Sequence, residues 1–210
     1  MIPFETVAIF FTASVALALA PGPDNIFVLT QSALHGRIAG LLVTLGLSTG
    51  LVVHTTAVSL GVAAIFQTSA FAFTLLKFIG AGYLLYLAWQ AFRAGGTDLE
   101  RSDGVTRSWR KLYFRGVVMN ITNPKVAIFF LAFLPQFADP YAGSLTLQML
   151  MFGGIFIIAT LLVFGTVAWT AGFLGDWLKG SNRAQVIMNR VAGTVFVGLA
   201  IRLASIEQSG

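Results

Sequence analysis

Charge is scarce in this chain, and cysteine is missing altogether. Of its 210 residues only 10% are Asp, Glu, Lys or Arg, against roughly 25% in an ordinary soluble domain. So few charges cannot cover the surface of a water-soluble fold of this size. Without cysteine there is no disulfide, no thiol nucleophile and no cysteine-based metal site. The chain also lacks a phosphate-binding Walker loop, a His-Glu-x-x-His zinc motif and a dinucleotide fingerprint. ATP-driven transport and metal-dependent proteolysis are therefore not expected, and neither a metal nor a cofactor is called for. A signal peptide would need a positive leader, but only Glu5 precedes the first apolar run. Ala18-Leu19-Ala20 is accordingly read as part of an uncleaved span and not as a cleavage site.

What is present is hydrophobic residue in long runs, 57% of the chain. A bilayer core needs about 20 apolar residues in helix, and six stretches qualify: 4–32, 39–65, 70–92, 112–136, 145–173 and 186–205. The expected fold is an all-α membrane protein of six transmembrane helices. Residues around Gln67-Thr68-Ser69 make a tight turn, and the one long hydrophilic stretch is 93–111. It divides the chain into a first three-helix repeat (1–92), a cytoplasmic linker (93–111) and a second three-helix repeat (112–210). Basic residues mark the cytoplasmic side. With both termini outside, the inner loops receive ten: Arg37, Arg93, Arg101, Arg107, Arg110, Lys111, Arg115, Lys179, Arg183 and Arg190. The outer side receives two, Lys77 and Arg202, and Lys125 lies within a span. The net charge of +5 is thus a topology signal and does not point to nucleic acid.

Three spans per half invert the second repeat relative to the first. Lys77-Phe78-Ile79-Gly80 matches Arg190-Val191-Ala192-Gly193, and Tyr83 matches Phe196. Pro23 matches Pro124 at two breaks, Pro21-Gly22-Pro23 in helix 1 and Asn123-Pro124 in helix 4. Proline removes a backbone donor and ends one helical arm, yet it suits the first turn of the next. The arms after the breaks run about 10 and 12 residues, or roughly 15 to 18 Å, which puts both new N-termini near the midplane. Broken backbone in mirrored positions marks transporter binding sites. A helix N-terminus attracts carboxylates, and Lys125 adds a full positive charge beside one of them. Asp24 is the only acid deep within any span. A carboxylate receptor together with one anion suits a zwitterion such as an α-amino acid. The candidate substrate-binding residues are Pro21, Gly22, Pro23, Asp24, Asn25, Asn120, Asn123, Pro124 and Lys125. Either break alone could be a simple kink, and Asp24 and Lys125 could merely pair.

Those same residues carry a resemblance. Pro21-Gly22-Pro23, Gly36-Arg37, Asn123-Pro124-Lys125 and Leu131-Ala132-Phe133-Leu134-Pro135-Gln136-Phe137, in this order over six spans, resemble the LysE/RhtB family of bacterial amino-acid exporters. The homoserine/threonine branch is nearer than the lysine exporters. The resemblance implies export of neutral amino acids (homoserine, threonine or aliphatic ones) across the bacterial inner membrane, driven by protons. Proton coupling then falls to Asp24, which would exchange a proton for the substrate ammonium, and His54 is a second candidate. The competing reading of His54 is a packed histidine bonded to a neighbouring helix. Two rival functions stand beside export: an ion or metal-ion carrier, and an intramembrane enzyme using Asp24, Lys125 and His54. Gly46 and Gly50 have GxxxG spacing, which predicts close helix packing and leaves a homodimer open. Tyr83, Tyr86 and Trp89 form a stripe that is either packing or a substrate path. Trp109 to Arg115 read as an amphipathic lead onto anionic lipid.

Overall fold

The computed structural model describes residues 2–20, 22–68, 70–93, 108–139, 141–180 and 182–205. Pro21 of the first break, Ser69 of the tight turn and residues 94–107 of the linker lie outside them. Every regular element among the described residues is helical. The first hydrophobic stretch becomes α1 (Phe4–Leu19) and α2 (Pro23–His35), the next two α3 (Arg37–Thr68) and α4 (Ala70–Arg93). After the linker come α5 (Trp109–Ile121), α6 (Pro124–Ile128), α7 (Leu145–Gly180) and α8 (Asn182–Ser205).

Among the described residues three stretches are long and apolar enough to cross a membrane: Arg37–Gly61, Thr74–Arg93 and Leu145–Ala171. The pairs Phe4–Leu19 with Pro23–His35 and Trp109–Ile121 with Pro124–Phe137 also qualify, each bent by more than 40°, which makes up to five. α8 covers the sixth expected stretch and is not among them. Large apolar side chains face outward along these helices, including Leu45, Val52, Phe78, Leu85, Leu147 and Ile158. Exposed apolar surface on this scale fits lipid and not water.

The arm after Pro124 departs from the regular helix expected over 124–136. Five α-helical residues lead into a π-helical turn, Phe129–Phe133, and a 3-10 turn, Leu134–Phe137. The cause is Pro135, which has no N–H to continue an i→i−4 ladder. The Leu134 N–H reaches back five residues to the Phe129 carbonyl, and Ala138 N–H reaches back three to that of Pro135.

Small residues set the packing. A Cβ on Gly46 would lie 2.1 Å from the Tyr113 carbonyl, and one on Gly116 2.5 Å from that of Val43. α3 and α5 therefore meet backbone to backbone and run parallel. Gly40 faces Ala168 and Gly153 faces Thr55, so α3 and α7 are antiparallel. Gly80 faces Leu203 and Gly193 faces Phe92, which makes α4 and α8 an antiparallel pair with reciprocal contacts. The GxxxG pair thus works in packing inside this chain.

The apolar core has two main parts. One gathers Phe10, Phe129, Phe130, Phe133, Phe137, Phe152 and Phe156 with neighbours from α3, α4 and α8. Its rings lie 4.6 to 6.4 Å apart, mostly tilted or edge-on. The other joins Val28, Ala39, Val43, Leu47, Leu112, Phe164 and Ala168 at the end where Arg37, Arg110 and Arg115 lie. Among the described residues four arginines at that end lie over aromatic rings: Arg37 over Trp169, Arg93 over Trp89, Arg115 over Phe27 and Arg110 over Phe114, at 4.4 to 5.6 Å. Between the two parts runs a buried polar layer supplied by both breaks.

Candidate functional site

Helix ends leave carbonyls without intrahelical partners, and in a membrane each must be satisfied by protein. At the first break the solution comes largely from the other half of the chain. Lys125 Nζ donates to the carbonyls of Leu17 (3.2 Å) and Ala20 (3.0 Å). Asn25 Nδ2 donates to Ala18 O at 2.6 Å. Gly22 is fully extended, and a Cβ on it would sit 3.0 Å from Lys125 Nζ, so glycine leaves room for the ammonium.

The second break is satisfied mainly by its own residues. Thr122 N–H and Thr122 Oγ1 both donate to Val118 O, at 3.0 and 2.8 Å. Asn123 N–H donates to Asn120 O at 3.1 Å. His54 comes from α3 and donates from Nε2 to the same Asn120 carbonyl at 3.2 Å. It is half-buried against Phe130 and bonds to neither Asp24 nor Lys125.

Asn123 ties the breaks together. Its Oδ1 caps α6 by accepting from Lys125 N–H at 3.0 Å, and its Nδ2 donates to Asp24 Oδ2 at 2.9 Å. Asp24 is 3% exposed, Asn120 2% and Lys125 8%. Asp24 and Lys125 attract one another, and Asn120 is near enough to interact with the same carboxylate. Three buried acceptors of the candidate site residues remain without a partner: Asp24 Oδ1, Asn25 Oδ1 and Asn120 Oδ1. Gly50 leaves room for Asn120, because a Cβ there would lie 2.6 Å from its Cβ and 2.7 Å from its Oδ1. Asp24, Asn120, Asn123 and Lys125 thus share one buried layer. Gly22, Pro23 and Pro124 shape the helix ends around it, and Pro21 is outside the described residues.

A cavity of about 350 Å³ borders Ala20 and Lys125. It runs along Leu87, Trp89, Gln90, Ala91 and Arg93 of α4 to Phe196 of α8, toward the arginine-rich end. Trp89 therefore lines an approach to the layer, with Tyr86 and Tyr83 stacked behind it. Among the described residues no three of His, Cys, Asp and Glu converge as a metal cage would require.

Sequence reasoning missed where Lys125 reaches. The charge beside a helix N-terminus is directed to the C-terminal carbonyls of a different helix. It also missed that Gly50 makes room for Asn120, although the GxxxG spacing marked that position as a close contact.

The family model described as "LysE type translocator" matches residues 15–206. The chain is 33% identical to a homoserine/homoserine lactone efflux protein of Salmonella typhimurium over 202 residues, covering 96% of this chain and 97% of that one. It is 32% identical over 197 residues to an uncharacterized membrane protein of Vibrio cholerae, covering 93% and 95%. A Bacillus subtilis membrane protein, YrhP, is 27% identical over 195 residues. No solved structure matches.

Proposed function

The chain belongs to the LysE-type translocator family, and from that premise we propose that it exports neutral amino acids across the bacterial inner membrane in exchange for protons. Homoserine, threonine and aliphatic amino acids are the substrates we expect; the name of the efflux protein it resembles supports the first of these. In this reading the chain crosses the membrane six times, with both termini outside. It is built as two inverted repeats, 1–92 and 112–210, joined by the cytoplasmic linker 93–111. The antiparallel pairing of α3 with α7 and the reciprocal glycine contacts of α4 with α8 support the inverted arrangement.

The observation that carries the proposal is Asp24, 3% exposed with Oδ1 unpartnered. A buried carboxylate is costly unless its charge is met. Asn123 serves one oxygen and Lys125 offers attraction from a position where it already donates to two carbonyls. The open oxygen has two natural occupants, a proton or a substrate ammonium, and they exclude one another. Binding of the ammonium from the cytoplasm displaces the proton, and protonation from outside releases the substrate. Because a zwitterion is neutral, one proton exchanged for one substrate moves one positive charge inward, so the membrane potential drives export.

The substrate carboxylate then faces the N-terminus of α2, where Gly22 supplies no side-chain cap. At α6 the corresponding N–H is held by Asn123 Oδ1. A helix end contributes about 0.3–1 kcal/mol to binding an anion. Leaving a buried charge without its partner costs about 3–5 kcal/mol, so Asp24 dominates the energetics.

With the arginine-rich end cytoplasmic, the cavity beside Lys125 opens inward and the phenylalanine cluster covers the site on the outer side. That suits loading from the cytoplasm. The test is uphill efflux from loaded proteoliposomes with Asp24→Asn. An amide mimics only the protonated carboxyl, so export against a gradient should vanish. Normal uphill export by this variant would sink the assignment.

A further inference from the structure

We propose that the cavity beside Lys125 is an entry route read by the substrate's carboxylate. Arg93, seated on Trp89 of α4, is a loading station at its mouth, and the Lys125 ammonium receives the carboxylate at its floor. The ligand is the carboxylate of a free amino acid, so the proposal rests on the exporter reading above. It adds the residues that bring the substrate to the site.

The lining of the cavity divides by burial. Ala20, Ala91, Phe196 and Lys125 are buried, whereas Trp89, Gln90 and Arg93 are exposed. Each end therefore carries one cation, and among the described residues no acid lines the space. Leu87 and Arg93 both line it and stand six residues apart on α4, or roughly 9 Å along the axis. A carboxylate held at Arg93 has thus not yet reached the buried layer. A cleft with charge of one sign and apolar walls concentrates the opposite charge.

Both cations have a donor to offer. Arg93 lies over the Trp89 ring at 4.5 Å. Stacking uses the face of the guanidinium and leaves its N–H groups in the plane, in the fork that fits a carboxylate. Gln90 turns its Nε2 to the Tyr86 hydroxyl, which leaves Arg93 as the charged donor of the mouth. At the floor, Lys125 Nζ donates to Leu17 O and Ala20 O, and an ammonium has three N–H groups. The third is used by neither bond.

The start of α2 adjoins that donor, since a Cβ on Gly22 would lie 3.0 Å from Lys125 Nζ. A carboxylate arriving there meets the ammonium and the helix N-terminus together. It is then in the layer where Asp24 takes the substrate ammonium.

The experiment uses the full chain in proteoliposomes with homoserine, threonine and leucine, and thermal unfolding in detergent beside it. In Arg93→Gln, KM should rise about tenfold with kcat within about twofold, because one charge-assisted contact of a partly exposed pair is lost. Arg93→Lys should bring KM back to within about threefold of wild type, and Arg93→Glu should be the worst of the three. The compound γ-hydroxybutyrate is homoserine without its ammonium. It should inhibit wild-type efflux competitively and lose about tenfold in potency with Arg93→Gln. A KM indifferent to the charge at this position would overturn the proposal, as would equal inhibition of wild type and Arg93→Gln by γ-hydroxybutyrate. A KM rise that tracks a falling unfolding temperature would also overturn it, making Arg93 a structural residue. Each of these results leaves the exporter reading intact. If none of the free amino acids moves in the wild type, the exporter reading fails, and this proposal with it.

Discussion

The two breaks look alike in sequence but are stabilised in different ways. The first leaves helix-end carbonyls that are met by Lys125, more than a hundred residues away, and by Asn25. The second uses the Thr122 hydroxyl and the Asn123 backbone next to it, with His54 adding one bond from α3. One break depends on tertiary structure and the other is largely built into its own chain. The dependent break also holds Asp24. A transporter must change shape where it binds, and contacts made at a distance can be exchanged more readily than local ones. In the export cycle proposed above, the first break is the one that rearranges and the second the one that holds.

The largest effect should come from Lys125→Met. It strips two buried carbonyls of a charged donor and leaves Asp24 without its attracting partner, which should cost about 3–5 kcal/mol of stability. Thermal unfolding of the purified protein in detergent checks this. Thr122→Val, at the self-sufficient break, should cost only about 0.5–1.5 kcal/mol. Equal losses would erase the distinction.

Asn123→Ala comes next, because one side chain serves both breaks. Loss of the α6 cap and of the bond to Asp24 should together cost about 2–3 kcal/mol. Combined with Asp24→Asn, the two changes should be non-additive by about 0.5–3 kcal/mol in a double-mutant cycle. Strict additivity would mean that Asn123 does not couple the breaks.

His54 should matter least. Its Nε2–H donates to a carbonyl, and both neutral and protonated imidazole can keep a proton there. His54→Gln should therefore retain stability and the pH profile of efflux, whereas His54→Ala should lose about 1 kcal/mol. A pH profile displaced by His54→Gln would instead return His54 to the proton path.

The breaks themselves were legible because Pro, Gly and Asn act within a few residues of where they stand. Pro23 and Pro124 open helices, and Asn123 caps the second. The π turn at Phe129–Phe133 was not legible, since Pro135 can be accommodated by widening, tightening or kinking, and the choice depends on packing against Gly80 and the phenylalanine cluster. The targets of Lys125 and His54 were hidden for a related reason. A long cationic chain beside a helix start reads as an anion site until the fold shows which carbonyls lie within its reach. Asp24 stood out because a lone acid in an apolar span has so few alternatives.

The contact of Gly46 with Gly116 bears on mechanics. Two backbones touching without side chains between them have no compliant layer, so α3 and α5 can neither slide nor tilt apart without losing the contact. They come from opposite halves of the chain, yet they must travel as one piece. In the two-repeat arrangement proposed above, the pieces that move therefore cut across the boundary between the halves instead of following it.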